Sequence, residues 1–380
     1  MTKTKRINLA LQGGGAHGAF TWGVLDHLLE QDKLELGWIS ATSAGAINAV
    51  ALASGMAEGG RAGARAKLME VWQAIHKAGV PDFIRLNPML SSISNLSAVS
   101  GMSRMFSPYE FNPMGFDPLR KLLSETIDFS KLRAASSIEL LIAATDISTG
   151  RPRFFRREEM TVDAVLASAC LPTLHHAVEI EGCAYWDGGF SANPDLVRLA
   201  MESPIGDTLI VLLNPTTSSA NPKTSLEIAG ETARLTFNAP LLRDIEIIEA
   251  VRESEGSWLQ RRFKTPSRLA PLATHRFHLI EAGRHTSSLP AGSKLKPDWG
   301  LFTFLHGAGR TEAYKWLDGA RPSIGRKSTV DLKSRFLTEL PATVPLVVGP
   351  SVEPAGLQVE ARPTGHHAPV REQPGVHILR

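Results

Sequence analysis

Cysteine is scarce: Cys170 and Cys183 are the two thiols in 380 residues. That excludes a disulfide-stapled scaffold, and their apolar neighbourhoods point to buried, reduced side chains in a reducing compartment. No apolar run reaches the ~18 residues of a membrane-spanning helix. Charge of one sign is also lacking, since 41 Lys plus Arg against 38 Asp plus Glu leave a net +3, and no nucleic-acid partner is expected. There is no internal repeat and no Cys-x-x-Cys. His175 and His176 are adjacent, so on a strand they face opposite sides and cannot share a metal, and His366 and His367 lie in a proline-rich tail. No metal or other cofactor is expected. Residues 1–6 are basic, but the apolar run after them is too short and polar for the core of a secretory signal, so the chain reads as cytoplasmic.

With 43% hydrophobic residues and a mean hydropathy of −0.05, the sequence is that of a globular protein with ample material for a core. The balanced charge hides a local asymmetry. Residues 251–310 carry ten Lys and Arg against four Asp and Glu. A solvated basic face is the plain explanation, and peripheral contact with an anionic lipid surface through Arg261, Arg262 and Lys264 is the functional one.

The apolar run 7–12, bounded by basic residues and glycines, predicts a buried parallel strand. Phe20, Val24 and Leu28, spaced by four, predict an amphipathic helix over 19–30. A second strand over 36–41 and a small-residue helix over 44–54 complete a β-α-β-α opening. Further strands are predicted over 138–145, 153–155, 178–180, 182–186, 208–213 and 276–280, with helices over 162–169, 226–253 and 303–317. Residues 84–116 lack either periodicity and form an irregular insertion, whose Met102, Met105, Phe106 and Phe111 suit either an acyl-chain channel or a satellite hydrophobic cluster. Seven prolines in the forty residues from 341 onward predict a poorly ordered tail.

Three short strings carry possible chemistry. Gly13, Gly14, Gly15 and Gly18 stand between a strand and a helix, where bare N–H groups and the helix N-terminus invite an anion. That anion is either a phosphate, as in a dinucleotide fingerprint, or an oxyanion formed during acyl transfer. Thr42-Ser43-Ala44-Gly45 comes after the next strand, a serine among small residues at a strand-to-helix turn, although Ala41 occupies the place of the first glycine of G-x-S-x-G. A dinucleotide site calls instead for an acidic residue near the end of that strand, where Trp38 and Ile39 stand. Asp187-Gly188-Gly189 ends a later strand and supplies a carboxylate that could serve as base.

Taken in order, these three motifs resemble the patatin-like phospholipase family. The stretch Ala167-Ser168 to Pro172 looks like that family's Ala-Ser-x-x-x-Pro, and Asn193-Pro194 comes after the aspartate as it does there. The likeness runs over 6–214, with weaker similarity around 298–317. It implies a three-layer α/β/α hydrolase with a mostly parallel central sheet, spanning 5–320 as a motif-bearing core (6–214) and a helical extension (215–320), with a Pro-rich tail over 321–380.

The resemblance also implies a chemistry: Ser43 attacks an ester carbonyl while Asp187 takes its proton, with no catalytic histidine. The oxyanion hole is assigned to the glycine loop, Gly14 and Gly15 donating while Gly13 and Gly18 shape it. His17 occupies a loop position where the family usually carries Arg or Lys, and is read as a loop-orienting residue whose charge depends on pH. A free Asp has a pKa near 4 and is a weak base for a hydroxyl. A dry pocket and aimed oxyanion donors must therefore do much of the work. The expected substrates are phospholipids or acylglycerols, the alternatives being an intracellular polyester such as polyhydroxyalkanoate, a non-hydrolytic nucleotide or dinucleotide site, or an inactive lipid-binding relative.

Overall fold

The structure is a computed structural model that describes residues 4–79, 107–218, 221–255, 268–289 and 291–338. Eight strands form one sheet: β1 (Lys5–Leu11), β2 (Leu34–Ala41), β3 (Glu139–Asp146), β4 (Pro152–Arg156), β5 (Val178–Ile180), β6 (Cys183–Asp187), β7 (Asp207–Leu212) and β8 (Arg276–Glu281). Their order is β5-β6-β3-β2-β1-β7-β8, with β4 beside β3. The pairs β1–β2, β1–β7, β2–β3 and β7–β8 are parallel. The pairs β3–β4, β3–β6 and β5–β6 are antiparallel.

Six helices matter to the site: α1 (Gly18–Leu29), α2 (Ala44–Ala78), α3 (Val162–Ser168), α4 (Leu196–Glu202), α5 (Ser225–Glu255) and α6 (Trp299–Ala320). The two-residue period of the strands divides the core. Ile7, Leu9 and Leu11 of β1, with Leu209 and Val211 of β7, pack among residues of α1, α2, α3 and α6. Ala10, Ile210 and Leu212 face the other way, against α4 and α5. Both faces of the central strands are therefore buried, as continuous apolar runs demand. The mostly parallel sheet with helices on both sides is the expected α/β/α architecture.

Most predicted elements fall within one to four residues of observed ones, and α2 departs furthest. It does not stop at 54, because Gly59 and Gly60 leave helical dihedrals (Gly60 φ +61°) and a second helical stretch runs to Ala78. Gly55 packs so tightly on the returning chain that a Cβ there would meet Ala64 Cα at 2.5 Å. The glycines that suggest an ending thus make a sharp bend between two packed segments. Short helices beyond the predicted ones include Pro118–Thr126, Phe129–Ala135 and α4, each opened by an N-cap aspartate, Asp117, Asp128 and Asp195.

Past α6 the chain stays on the sheet. Lys5 Nζ donates to Ile324 O at 2.7 Å, Thr329 N–H to Phe277 O at 3.1 Å, and Leu332 is buried. The proline-rich stretch from 341 lies outside the described residues, as do Arg261, Arg262 and Lys264. Both cysteines are free, but Cys183 is exposed, against expectation, because it sits in the β5–β6 hairpin at the sheet's rim. Among the described residues no helix is long and apolar enough to cross a membrane.

Candidate active site

The turn after β2 holds Ser43 at φ 56° and ψ −124°, a left-handed backbone that costs a non-glycine residue about 1–3 kcal/mol. The surroundings fix it there. The Ser43 N–H donates to the buried Ser168 Oγ at 3.0 Å, and Ser43 O accepts from the Ile47 N–H at 3.1 Å to start α2. Beside it, Thr42 Oγ1 donates to Ala192 O at 2.7 Å. Gly45 lies against the Leu11 carbonyl with no room for a Cβ. Small neighbours here are a steric requirement of the turn.

Asp187 reaches the same level of the sheet from the opposite chain direction. In the register, Ala41 of β2 pairs with Ile142 of β3, while Asp187 pairs with Ala144 of that strand. The Asp187 N–H donates to Cys170 O at 2.7 Å, and its carbonyl accepts from Thr145 Oγ1 at 2.8 Å. The carboxyl accepts from the Gly189 N–H at 2.7 Å, and the Ser43 hydroxyl is near enough to favour its ionised form. It is only 2% exposed. Burial pushes its pKa up from 3.8 to about 7, although the Gly189 N–H and Ser43 both favour the ionised form. The weak base of the free amino acid thus becomes one matched to neutral pH.

The glycine loop faces this pair. A Cβ on Gly13 would stand 2.9 Å from Ser43 Cβ, so only glycine lets the loop approach the elbow. The Gly13 N–H is taken by Asn193 Oδ1 at 2.8 Å, and the Gly18 N–H by the carbonyls of Gly15 and Ala16. Neither the Gly14 nor the Gly15 N–H has a protein acceptor among the described residues. Gly15 has φ +57° and abuts the Lys294 carbonyl. Of the loop's N–H groups, those of Gly13 and Gly18 are taken, while those of Gly14, Gly15 and Ala16 have no protein acceptor among the described residues.

His17 is 3% exposed, and its Nε2 meets Ser293 Oγ at 2.8 Å. Burial, aided by the nearby Lys294 ammonium, lowers its pKa to about 4. It is a neutral ring at physiological pH, in place of the pH-dependent charge expected from the sequence. Met102, Met105 and Phe106 lie outside the described residues; Phe111 ends a short helix (Pro108–Phe111), with its side chain not described. Phe116 is 47% exposed and lines a cavity of about 170 Å³ together with Asn112, Leu166, Cys170 and His175. Burial, reinforced by the charge of Asp187, pushes the Cys170 thiol up to about 12, which makes it inert.

Several supporting residues have no role that the sequence alone assigns. Asn193 bonds the loop through Oδ1 and Phe237 O through Nδ2 at 2.9 Å, tying β1 to α5. Gln12 accepts the N–H groups of Leu213 and Asn214 at 2.8 and 2.9 Å and donates to Asn238 Oδ1 at 3.0 Å. Ser168 and Asn193 lie inside recognisable motifs, and that is their signal. Asn214 and Lys294 have none.

The family described as patatin-like phospholipase matches residues 9–200 of this chain. Among solved structures, the chain is similar to VipD from Legionella pneumophila at 15% identity, over 83% of this chain and 67% of that one, with a TM-score of 0.38. It is also similar to full-length ExoU in complex with SpcU, from the type III secretion system of Pseudomonas aeruginosa. There the identity is 15%, the coverage 84% and 80%, and the TM-score 0.25. No curated protein matches the chain.

Proposed function

This chain belongs to the patatin-like phospholipase family, a family of lipid-hydrolysing enzymes, and from that premise we propose that it cleaves carboxylic esters of phospholipids or acylglycerols through a Ser43–Asp187 dyad. One observation carries the proposal: a serine on a strained elbow stands beside a buried carboxyl whose pKa is raised to about 7 and whose ionised form the serine hydroxyl favours.

The chemistry runs in two halves. Ser43 Oγ attacks the ester carbonyl carbon as its proton passes to Asp187, and the carbonyl oxygen becomes an oxyanion facing the Gly14 and Gly15 N–H groups. Such a donor typically contributes about 3–4 kcal/mol. The C–O bond to the alcohol breaks as Asp187 returns the proton to the leaving oxygen, leaving the acyl group on Ser43. Water then loses a proton to Asp187 and attacks the acyl carbon, releasing the fatty acid and restoring the serine. His17 takes no proton in this scheme: burial lowers its pKa to about 4, which makes it a poor base, and its Nε2 is engaged by Ser293 Oγ.

The half-exposed Phe190, packed on Phe237 beside Asp187, offers an apolar rim for peripheral contact with a lipid surface. The test is fluorophosphonate labelling with hydrolysis of p-nitrophenyl esters of graded chain length. Ser43→Ala abolishes both; full labelling and turnover in that variant would sink the proposal. Acyl products released from defined phospholipids, triglycerides and polyester granules then identify the substrate.

A further inference from the structure

Behind the glycine loop, two polar contacts in series lead from the 3-10 turn Ala291–Leu295 to the peptide between Gly13 and Gly14. Lys294 Nζ donates to Asn214 Oδ1 at 2.5 Å. Asn214 Nδ2, on the same amide, donates to Gly13 O at 3.3 Å. Gly13 O and the Gly14 N–H belong to one trans peptide unit, so they point in opposite directions. A carbonyl held toward Asn214 turns the Gly14 N–H away from it. On the preceding peptide, the Gly13 N–H is pinned by Asn193 Oδ1 at 2.8 Å. The turn also braces the loop directly, through the Lys294 carbonyl against Gly15 and through Ser293 Oγ on His17.

The electrostatics of Lys294 are unusual for a structural lysine. Its side chain is largely buried, and among the described residues Asn214 Oδ1 is the one acceptor of its ammonium, with no carboxylate in ion-pair reach. An ammonium desolvated without a counter-charge costs stability. Burial lowers its pKa accordingly. A charge placed at such a cost fits a role other than holding the fold together. A cation bonded to the amide oxygen draws electron density from Nδ2, which strengthens its donation to Gly13 O and in turn the acidity of the Gly14 N–H.

We propose that Lys294 is a positioning residue for the oxyanion hole, acting through Asn214 to orient and polarise the Gly13–Gly14 peptide so that the Gly14 N–H meets the oxyanion as a stronger donor. This rests on the dyad reading above. Lys294 touches no reacting atom; its effect on the transition state passes through two hydrogen bonds.

Full-length Lys294→Met, Lys294→Gln and Lys294→Arg are compared on a neutral substrate, p-nitrophenyl butyrate. The two uncharged variants lose about tenfold in kcat with KM within about twofold, because the donor acts on charge that develops in the transition state. Lys294→Arg regains most of the rate. Thermal melting of Lys294→Met is unchanged or raised, since a desolvated charge has been removed. Asn214→Ala shows the same kcat loss, and adding Lys294→Met to it costs nothing further. A kcat within twofold of the parent in both uncharged variants overturns the proposal, as does a loss matched by a lower melting temperature and not recovered by arginine. Failure of the dyad itself is seen separately, in turnover retained by Ser43→Ala.

Discussion

The backbone N–H of Ser43 donates to the hydroxyl of Ser168 across 3.0 Å, linking the elbow to a residue 125 positions along the chain. Ser168 closes α3 and is fully buried, so no water replaces it as acceptor. Ser168→Ala leaves a polar group unpaired beside a strained turn, at a cost of about 1–3 kcal/mol. A melting temperature several degrees lower and a reduced kcat with little change in KM are expected from calorimetry and ester kinetics.

In the proposed dyad, Asp187 sets the pH dependence of rate as well as of stability. As a base it must be ionised, so kcat/KM rises with pH through about 7. Because burial raises the folded pKa above the unfolded value of 3.8, the stability it contributes is whole below that value and is lost as pH rises to about 7. The loss amounts to at most about 4 kcal/mol. Asp187→Asn abolishes turnover, and its stability curve is flatter than the parent's between pH 4 and 7. Denaturant melts at several pH values check this; parallel curves for the two proteins would contradict it.

Gly13 is a steric prediction. A Cβ there would stand 2.9 Å from Ser43 Cβ and 3.2 Å from both Asn193 Oδ1 and Thr42 O. Gly13→Ala therefore pushes the glycine loop off the elbow. The fold survives with a loss of about 1–3 kcal/mol, while the fluorophosphonate labelling rate falls by about a hundredfold.

His17 should be silent in the rate profile near pH 6.5 and visible in acid. Its pKa is lowered from 6.5 to about 4 in the folded chain. Its contribution to stability is present above 6.5 and is lost as pH falls through about 4. Unfolding in urea at pH 7, 5.5 and 4.5 shows the loss, and His17→Gln, which keeps a partner for Ser293, reduces it.

Local features made much of this legible from sequence. The apolar run of β1 and the fourfold spacing in α1 depend on short-range periodicity. Ser43 follows the end of β2 and Asp187 ends β6, and each precedes the small residues that a tight turn requires. What escaped is contact between distant segments. Asn214 reaches Gly13 across 201 residues, and nothing in either neighbourhood signals the pairing. The protonation state of His17 was hidden for the same reason, since it depends on burial and on Lys294. In α2, the glycines at 55, 59 and 60 look like helix endings until the packing of the second stretch is seen.

The position of β1 in the middle of the sheet imposes an order on synthesis. It leaves the ribosome before every other strand of the sheet, and its partner β2 is the next strand in the chain, but the partner for its other edge, β7, begins only at Asp207. An unpaired edge on a nascent chain invites wrong partners. Over that interval Ser43 already stands at the end of its strand, while Asp187, then Asn193 and Asn214, and last Lys294 have yet to appear. The groups of the proposed site are thus complete only once the chain beyond β7 is made, and a ribosome stalled before residue 294 holds a chain that has its elbow serine and lacks the Lys294 brace on the glycine loop.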